Sequence, residues 1–355
     1  MKIKEYGYEY DATLNEQLWQ ETKGKVTYEK FKGAHALRSG RDTLKAIARE
    51  YSPTVALLPA LSCDSMVLPF EMYGHEVRFY QLNKDYSISI ENLEKQIEKD
   101  TTVLLLYMDY FEKTALSDNA LTELRQRHKN LVFIEDRTHN LLNQRTSDFE
   151  PEYIIASLRK WSNIPDGGLL WNNVPMANGA FSEDTNFSEI RLRAQCNRHE
   201  FLKTGDERIK TEYRKVFSTV SDIIDNDKLP GRMSEYSFRL AQQTDYDTIK
   251  EKRINNAQAL VSRLQQAGFS FVQEEVGTGD LYIPVLVENR DALQRKLSAE
   301  GIFCTVIWPL SDVQRESCQV AKYTEEHLLA VYCDQRMSKE DMEYIASRIV
   351  ELNNE

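Results

Sequence analysis

Short, almost continuously apolar runs alternate with amphipathic segments along the first half of the chain. The apolar runs predict strands at residues 54–59, 76–81, 102–108, 131–136, 153–156 and 169–171. Apolar residues recur at helical spacing in segments 39–50, 65–73, 90–99 and 121–128. Strands that alternate with helices are typical of βαβ units, and runs that are apolar on both faces indicate a covered sheet. The pattern therefore predicts an α/β fold with a mostly parallel central sheet flanked by helices.

The second half has a different pattern. The charged stretch 189–219 is predicted to be helical, and residues 225–231, which end in Pro230 and Gly231, form the best candidate hinge. Beyond it the pattern predicts helices at 246–267, 290–300 and 339–352 and strands at 269–272, 281–287 and 303–308. We therefore expect a large domain at residues 1–231 and a smaller C-terminal α+β domain at 232–355.

The N-terminal part of the large domain, residues 1–38, has no clear hydrophobic period. It is rich in aromatic residues, namely Tyr6, Tyr8, Tyr10, Trp19, Tyr28 and Phe31. Such a stretch is interpreted as an arm or lid, which could equally pack on a partner subunit.

Composition and charge narrow the function classes. The 355 residues are 41% hydrophobic and 28% charged, which is enough for a sizeable core. A net charge of -11 argues against nucleic acid or an anionic membrane as partner, but leaves a local basic pocket for a phosphorylated small molecule possible. Five cysteines without a CxxC pair predict neither a disulfide framework nor a zinc site, and no metal is expected. Without a signal-peptide pattern or a long apolar run, we expect a cytoplasmic protein.

Lys160 is the first candidate for chemistry. It lies in a turn between two apolar segments, three residues after Ser157 and shortly before Gly167 and Gly168. Lysine amines form Schiff bases with carbonyl cofactors when they are partly desolvated or near another cation, and Arg159 supplies such a cation. The glycines would let the backbone pass close to a bulky group. On this stretch alone, a basic loop that turns a strand is an equally good interpretation.

Two further candidates lie where strands end, the edge at which open parallel sheets bind ligands. Gly40 and Arg41 open a helix whose free amide groups favour phosphate, although a Ser-Gly start is also a common helix cap. Asp136 ends a strand, where a solvated turn carboxylate or a cap is the simpler interpretation. Pyridoxal phosphate chemistry needs a lysine, a carboxylate that keeps the ring nitrogen protonated, and donors for the phosphate, in one site.

In this order, the motifs resemble those of the fold-type I pyridoxal-phosphate enzymes, in particular the DegT/StrS-type sugar aminotransferases. The similar pieces span nearly the whole chain and lie at residues 39–44, 58–63, 109–112, 134–139, 157–160 with 166–168, 287–291, 308–309 and 333–336. The resemblance implies the PLP fold type I and pyridoxal 5'-phosphate as the cofactor.

The resemblance also implies roles for the residues that react with or hold the cofactor ring. Lys160 is implied to be the Schiff-base lysine, which also moves a proton during transfer. Asp136 is implied to be the partner of the pyridine nitrogen, and His139 lies at the position that contacts the cofactor near its 3′-hydroxyl.

Other positions are implied to bind the phosphate or to cover the ring. Ser157 matches a hydroxyl that reaches the phosphate, and Gly40 with Arg41 matches the backbone that binds it from the helix start. The position that usually carries an aromatic ring against the cofactor is Cys63 here. The Gly-Glu-Gly-Gly that is common after the lysine is Pro-Asp-Gly-Gly at 165–168.

The implied activity is an aminotransferase that moves an amino group, from glutamate as donor, to a keto group of a nucleotide-linked sugar. The family's members act in surface-polysaccharide or related sugar biosynthesis as homodimers with sites at the interface. One alternative is a pyridoxal-phosphate lyase or dehydratase on the same fold, but such dehydratases have histidine in place of the lysine. The other is a non-catalytic pyridoxal-phosphate sensor, which Cys63 leaves open. Arg191, Arg193, Arg214 and Arg336 are candidates for substrate anions or for ordinary ion pairs and solvated helix faces.

Overall fold

A seven-stranded sheet organises the first half of the chain. The computed structural model describes residues 4–12, 31–111, 114–143, 147–177, 179–272 and 281–354. The strands are β1 (His35–Leu37), β2 (Val55–Pro59), β3 (Glu76–Tyr80), β4 (Val103–Met108), β5 (Leu131–Asp136), β6 (Tyr153–Ala156) and β7 (Gly168–Asn172). Their order is β1-β7-β6-β5-β4-β2-β3, in which β3, β2, β4, β5 and β6 are parallel and β7 is antiparallel to both of its neighbours. The predicted mostly parallel sheet is therefore confirmed.

Helices cover this sheet because its central strands are apolar on both faces, and β2 and β4 are buried along their whole length. The helices are α1 (Gly40–Ala48), α2 (Asp64–Met72), α3 (Ile90–Glu94) and α4 (Asp118–Arg127). Ser39 caps α1 and Ser117 caps α4, since each side chain accepts a hydrogen bond from a first-turn amide.

The charged middle of the chain is helical, as predicted, but it is not one helix. The helices are α5 (Asn186–Thr204), α6 (Glu207–Thr219), α7 (Ser221–Asn226) and α8 (Glu235–Gln243). Helix α5 ends at Gly205, whose φ of 74° is the left-handed conformation that glycine adopts without a Cβ penalty. The break lets α6 fold back and pack along α5.

A smaller antiparallel sheet lies in the C-terminal part. Its strands are β8 (Ser270–Phe271), β9 (Tyr282–Leu286) and β10 (Leu328–Tyr332), with β9 in the centre. The helices of this part are α9 (Tyr246–Gln266), α10 (Arg290–Ala299), α11 (Asp312–Ser317), α12 (Gln319–His327) and α13 (Lys339–Asn353). A mixed α/β fold with a second, smaller sheet is therefore confirmed, whereas the domain boundary at residue 231 stays a prediction.

The predicted strand at 303–308 is wrong. Thr305 makes only an isolated bridge to Ala330, and β10, which the sequence analysis did not predict, takes the position beside β9. The apolar side chains of this stretch serve other contacts instead. Ile307 packs in the core of the large sheet, and the Phe303 ring lies 5.4 Å from that of Tyr8.

The N-terminal segment, which we define as residues 4–12, lies between helix α5 and the C-terminal part. Tyr6 exchanges backbone hydrogen bonds with Gly301 and Phe303 of the C-terminal part, both of 2.9 Å. On the other side, the amide of Ala12 donates to the carbonyl of Gln195 in α5. The predicted arm is thus held between α5 and the small sheet over these residues, while Trp19 and Tyr28 lie outside the described residues.

Three features bear on the broad class of the protein. None of the helices within the described ranges is long and apolar enough to cross a membrane. Within the same ranges, His, Cys, Asp and Glu side chains form no group of three or more that could hold a metal ion. All five cysteines are free thiols, and Cys304, Cys318 and Cys333 are buried.

Candidate active site

One cleft at the carboxyl ends of the parallel strands contains every site residue that the sequence analysis selected. These residues are Gly40, Arg41, Cys63, Asp136, His139, Ser157 and Lys160. The cleft has about 540 Å³ of empty space, counting the open solvent at its mouth. The strand ends β2, β5 and β6 bring these segments together, although they lie far apart in the chain.

Asp136 is the last residue of β5 and is only 6% exposed. Its carboxylate accepts a 2.7 Å hydrogen bond from the amide of Thr138, which fixes the turn that follows the strand. Burial raises the pKa of Asp136, and the hydrogen bond from Thr138 and the charge of Lys160 only partly oppose this. A cationic group placed beside this carboxylate would therefore be strongly favoured.

Hydrogen bonds fix the turn that carries Lys160 to the turn that follows Asp136. The amide of Ser157 donates to Oγ1 of Thr138 at 3.0 Å, and the indole of the buried Trp161 donates to the Thr138 carbonyl at 2.7 Å. Lys160 ends the short 3₁₀ helix Leu158–Lys160 and is half-buried in the cleft. The lysine and the carboxylate are thus held by one rigid hydrogen-bonded unit.

His139 is buried against aromatic rings at the other side of the cleft. Its ring lies 5.4 Å from that of Trp308 and 5.8 Å from that of Tyr282. Its Nε2 has no hydrogen-bond partner in the described part of the chain. Burial, with the nearby charge of Lys160, lowers the pKa of His139 to about 3, so the imidazole is neutral at physiological pH.

The start of α1 presses unusually close to β7. A Cβ on Gly168 would lie 2.3 Å from the carbonyl oxygen of Ser39, so only glycine allows this approach. Gly40 in turn lies against Ser157, since a Cβ there would be 3.4 Å from the Ser157 Cβ. Gly168 therefore allows the first turn of α1 to lie at the edge of the cleft.

Asp166 explains the Asp-Gly-Gly that follows the lysine. Its buried carboxylate accepts hydrogen bonds from the amide and hydroxyl of Ser234, both at 2.7 Å, and from the hydroxyl of Ser237. Ser234 also caps α8. This aspartate fixes the Lys160 loop to the chain that leads into the C-terminal part, and is a structural residue.

Two of the candidate substrate arginines, Arg191 in α5 and Arg214 in α6, form ion pairs with the N-terminal segment. Arg191 is buried and pairs with Glu9 at 2.7 Å, and Arg214 pairs with Glu5 at 3.3 Å. Arg193 is exposed. Arg336 pairs with the buried Asp334 and donates to backbone carbonyls of the N-terminal segment, as expected of a structural ion pair.

Several residues that line the cleft were not selected from the sequence as site residues, and Thr138, Arg159 and Trp308 are the most informative of them. Thr138 and Arg159 are neighbours of predicted residues, and their position in the cleft follows from the two turns. Trp308 comes from the C-terminal part and lines the same cleft as Cys63, where an aromatic ring was expected. The Trp308-Pro309 pair was part of the family resemblance. It lies far from the other cleft residues in the chain, so the sequence did not indicate that it lines the cleft.

We expect the Glu9–Arg191 ion pair to make stability depend on acid pH. Burial would raise the pKa of Glu9, but Arg191 and other arginines lower it to about 2. A carboxylate with a depressed folded pKa stabilises the fold above its unfolded pKa and loses that contribution as the pH falls. Because Glu9 is partly exposed, we expect Glu9→Gln to cost about 1–2 kcal/mol at pH 7.

The measurement is chemical unfolding of both proteins at several pH values. The stability difference should be constant above pH ~5, narrow as the pH falls from ~5 through the folded pKa of about 2, and be smallest below pH ~2. A difference that does not change with pH would contradict the assigned pKa.

No protein-family model and no curated protein matches the sequence, but solved structures share its fold. PseC of Helicobacter pylori, an aminotransferase involved in the biosynthesis of pseudoaminic acid, is 14% identical with a TM-score of 0.68 over 99% of this chain and 100% of PseC. A DegT DnrJ EryC1 StrS aminotransferase of Brucella abortus is 17% identical with a TM-score of 0.63 over 98% and 92%. Spr1654 of Streptococcus pneumoniae, named as a sugar aminotransferase and solved in a PLP form, is 14% identical with a TM-score of 0.65 over 100% and 99%.

At these identities the similarity establishes the fold over the whole length of the chain. The protein has the α/β fold of PLP fold type I, with the cleft at the carboxyl ends of its parallel strands. More particularly, its architecture is that of the three solved aminotransferases named above.

Proposed function

We propose that the protein is a pyridoxal-phosphate-dependent aminotransferase of the DegT/StrS type. The observation that carries the proposal is the cleft itself, in which one hydrogen-bonded unit holds Lys160 and Asp136, and which Gly40 at the start of α1 also lines. A lysine amine, a buried carboxylate and a phosphate-type helix start are the three parts that this cofactor requires.

The residues present fit the cofactor. Burial raises the pKa of Asp136, which the charge of Lys160 only partly opposes, and its carboxylate forms no salt bridge within the described residues. A protonated ring nitrogen would supply a close cationic partner for it. The orphaned Nε2 of His139 is available to a polar group of the ring. Ser157 and the close approach of Gly40 form a cradle for the phosphate.

Bound pyridoxal phosphate supplies an aldehyde for covalent linkage and a ring that withdraws electrons from the substrate. The residues of this chain would supply the other functions. Nζ of Lys160 would hold the aldehyde covalently and would move a proton during amino transfer. The Asp136 carboxylate would keep the ring nitrogen protonated, and the neutral His139 would orient the ring without adding charge.

For the substrates, we propose glutamate as amino donor and a keto group of a nucleotide-linked sugar as acceptor, in surface-polysaccharide or related sugar biosynthesis. The fold supports this choice, since one solved structure named as a sugar aminotransferase and one of an aminotransferase of pseudoaminic acid biosynthesis match nearly the whole chain. We further propose a cytoplasmic homodimer. The buried free thiols support a reducing compartment, and the cleft is open at its mouth, where a partner subunit would contribute.

The test is an absorbance titration of the purified protein with pyridoxal phosphate, followed by glutamate and then by a nucleotide-linked keto-sugar. A band near ~410–430 nm, which glutamate shifts to shorter wavelength and the keto-sugar restores, is expected of an aminotransferase with an active lysine. A band that ignores every amino donor would instead support a cofactor-binding sensor. If no band forms, the cofactor assignment is wrong.

A further inference from the structure

Arg159 is a cation of the cleft that forms no salt bridge within the described residues. It precedes Lys160, is half-buried and lines the cleft together with Gly40, Arg41 and Ser157. Its guanidinium lies 5.7 Å from the centre of the Phe187 ring. Among the same residues, no carboxylate comes within ion-pair distance of this guanidinium and no hydrogen bond uses it, whereas the backbone amide of Arg159 donates to the carbonyl of Gly167.

The other charges around Arg159 are already paired. Arg191 pairs with Glu9 at 2.7 Å, and Arg41 pairs with Asp225 at 2.9 Å. Asp166, the remaining nearby carboxylate, accepts its hydrogen bonds from Ser234 and Ser237. Glu9 and Asp166 attract Arg159 at longer range, but among the described residues neither carboxylate lies within ion-pair distance of it. A partly desolvated cation without a close partner is costly. Burial, with the neighbouring charge of Arg191, accordingly lowers the pKa of Arg159 to about 9.

The same end of the cleft has unused hydrogen-bond donors. The hydroxyl of Ser39 accepts a hydrogen bond from the amide of Asp42, and its carbonyl accepts one from the amide of Thr43. None of the hydrogen bonds among the described residues uses the amides of Gly40 and Arg41. These two amides belong to the positive end of the helix dipole, beside the Ser157 hydroxyl. An anion bound here would meet the two amides, a hydroxyl and a free guanidinium.

We propose that Arg159 completes a phosphate subsite with the start of α1 and Ser157, and that it binds the phosphate of the cofactor as its counter-ion. The proposal rests on the proposed function and deepens it, because it assigns to the residue before the lysine a role that the resemblance did not imply. A phosphate fits this end because the free amides of a helix start and a nearby cation favour that anion. Asp136 ends β5 and His139 follows it in the next turn, at another strand end of the cleft.

The experiment compares Arg159→Gln with wild type in three titrations: pyridoxal phosphate, pyridoxal without the phosphate, and inorganic phosphate. Losing one charge-assisted contact should weaken pyridoxal phosphate binding about 10- to 100-fold. Pyridoxal binding, read from the same absorbance band, should not change. Calorimetry with inorganic phosphate should show binding to wild type that Arg159→Gln loses.

Two variants control for trivial effects. Arg159→Lys keeps a cation and should recover part of the phosphate-dependent affinity, although it loses the planar fork of donors. Arg193→Gln removes an exposed arginine of α5 and should leave all three titrations unchanged.

Each result decides the proposal. The proposal would be overturned if Arg159→Gln weakened the binding of pyridoxal and of pyridoxal phosphate equally. It would also be overturned if the affinity for both compounds were unchanged while glutamate bound more weakly, and that result would place a donor carboxylate at Arg159. If wild type forms no band but binds inorganic phosphate through Arg159, the subsite stands and the proposed function fails. If wild type binds neither compound, both fail.

Discussion

Lys160→Ala should abolish transamination and the long-wavelength band of the bound cofactor. Nζ of Lys160 is the only amine among the described residues of the cleft lining that can form the covalent link and also move the proton. We expect kcat to fall at least ~10³-fold, in the upper range for loss of a single proton-transfer group. Folding should be unaffected, because the half-buried side chain makes no hydrogen bond within the described residues. The measurements are the absorbance titration, steady-state rates and the mass of the borohydride-reduced protein.

Two variants separate covalent chemistry from charge. Lys160→Arg keeps a cation in the cleft, but its guanidinium cannot form the link, so it should be as inactive as Lys160→Ala. Lys252→Ala removes an exposed lysine of α9 and should behave like wild type. If Lys160→Arg kept the band, or borohydride fixed the cofactor to Lys160→Ala, the assignment of Lys160 would be wrong.

Asp136→Asn should have the second largest effect, with opposite signs for activity and stability. Asparagine keeps the hydrogen bond to the amide of Thr138 but cannot hold a proton on the ring nitrogen. We expect kcat to fall by about 10²- to 10³-fold, as on removal of one preorganised electrostatic group. The covalent link to Lys160 should still form.

The stability of the cofactor-free protein should change in the other direction. Burial raises the folded pKa of Asp136 above its unfolded value, so the ionised carboxylate costs stability, and this cost grows as the pH rises through the folded pKa. Asp136→Asn should therefore unfold at a higher temperature than wild type at pH 7, with the gain absent at low pH. Saturating cofactor should stabilise wild type more than the variant. A variant that is less stable at pH 7 without cofactor would contradict the electrostatic role given to Asp136.

Much of the large sheet could be predicted because its information is local. The strands that end at Pro59, Met108 and Asp136 are buried on both faces, so their apolar runs were visible without knowledge of their neighbours. The wrong strand at 303–308 shows the limit of this signal. Its residues are apolar because they contact the N-terminal segment and the large-sheet core, and an apolar run does not reveal which partner it buries against.

The sequence by itself determined the order of the βαβ elements and the residue types at the strand ends, including Asp136 and Lys160. Both follow from short-range patterns, since hydrophobic period and turn chemistry depend on neighbours in the chain. Only the tertiary structure decided the charge state of the cleft. Glu9 pairs with Arg191 across 182 positions of the chain, and Arg159 is left without an ion pair among the described residues. Such pairings depend on how distant segments pack, and no local pattern encodes them.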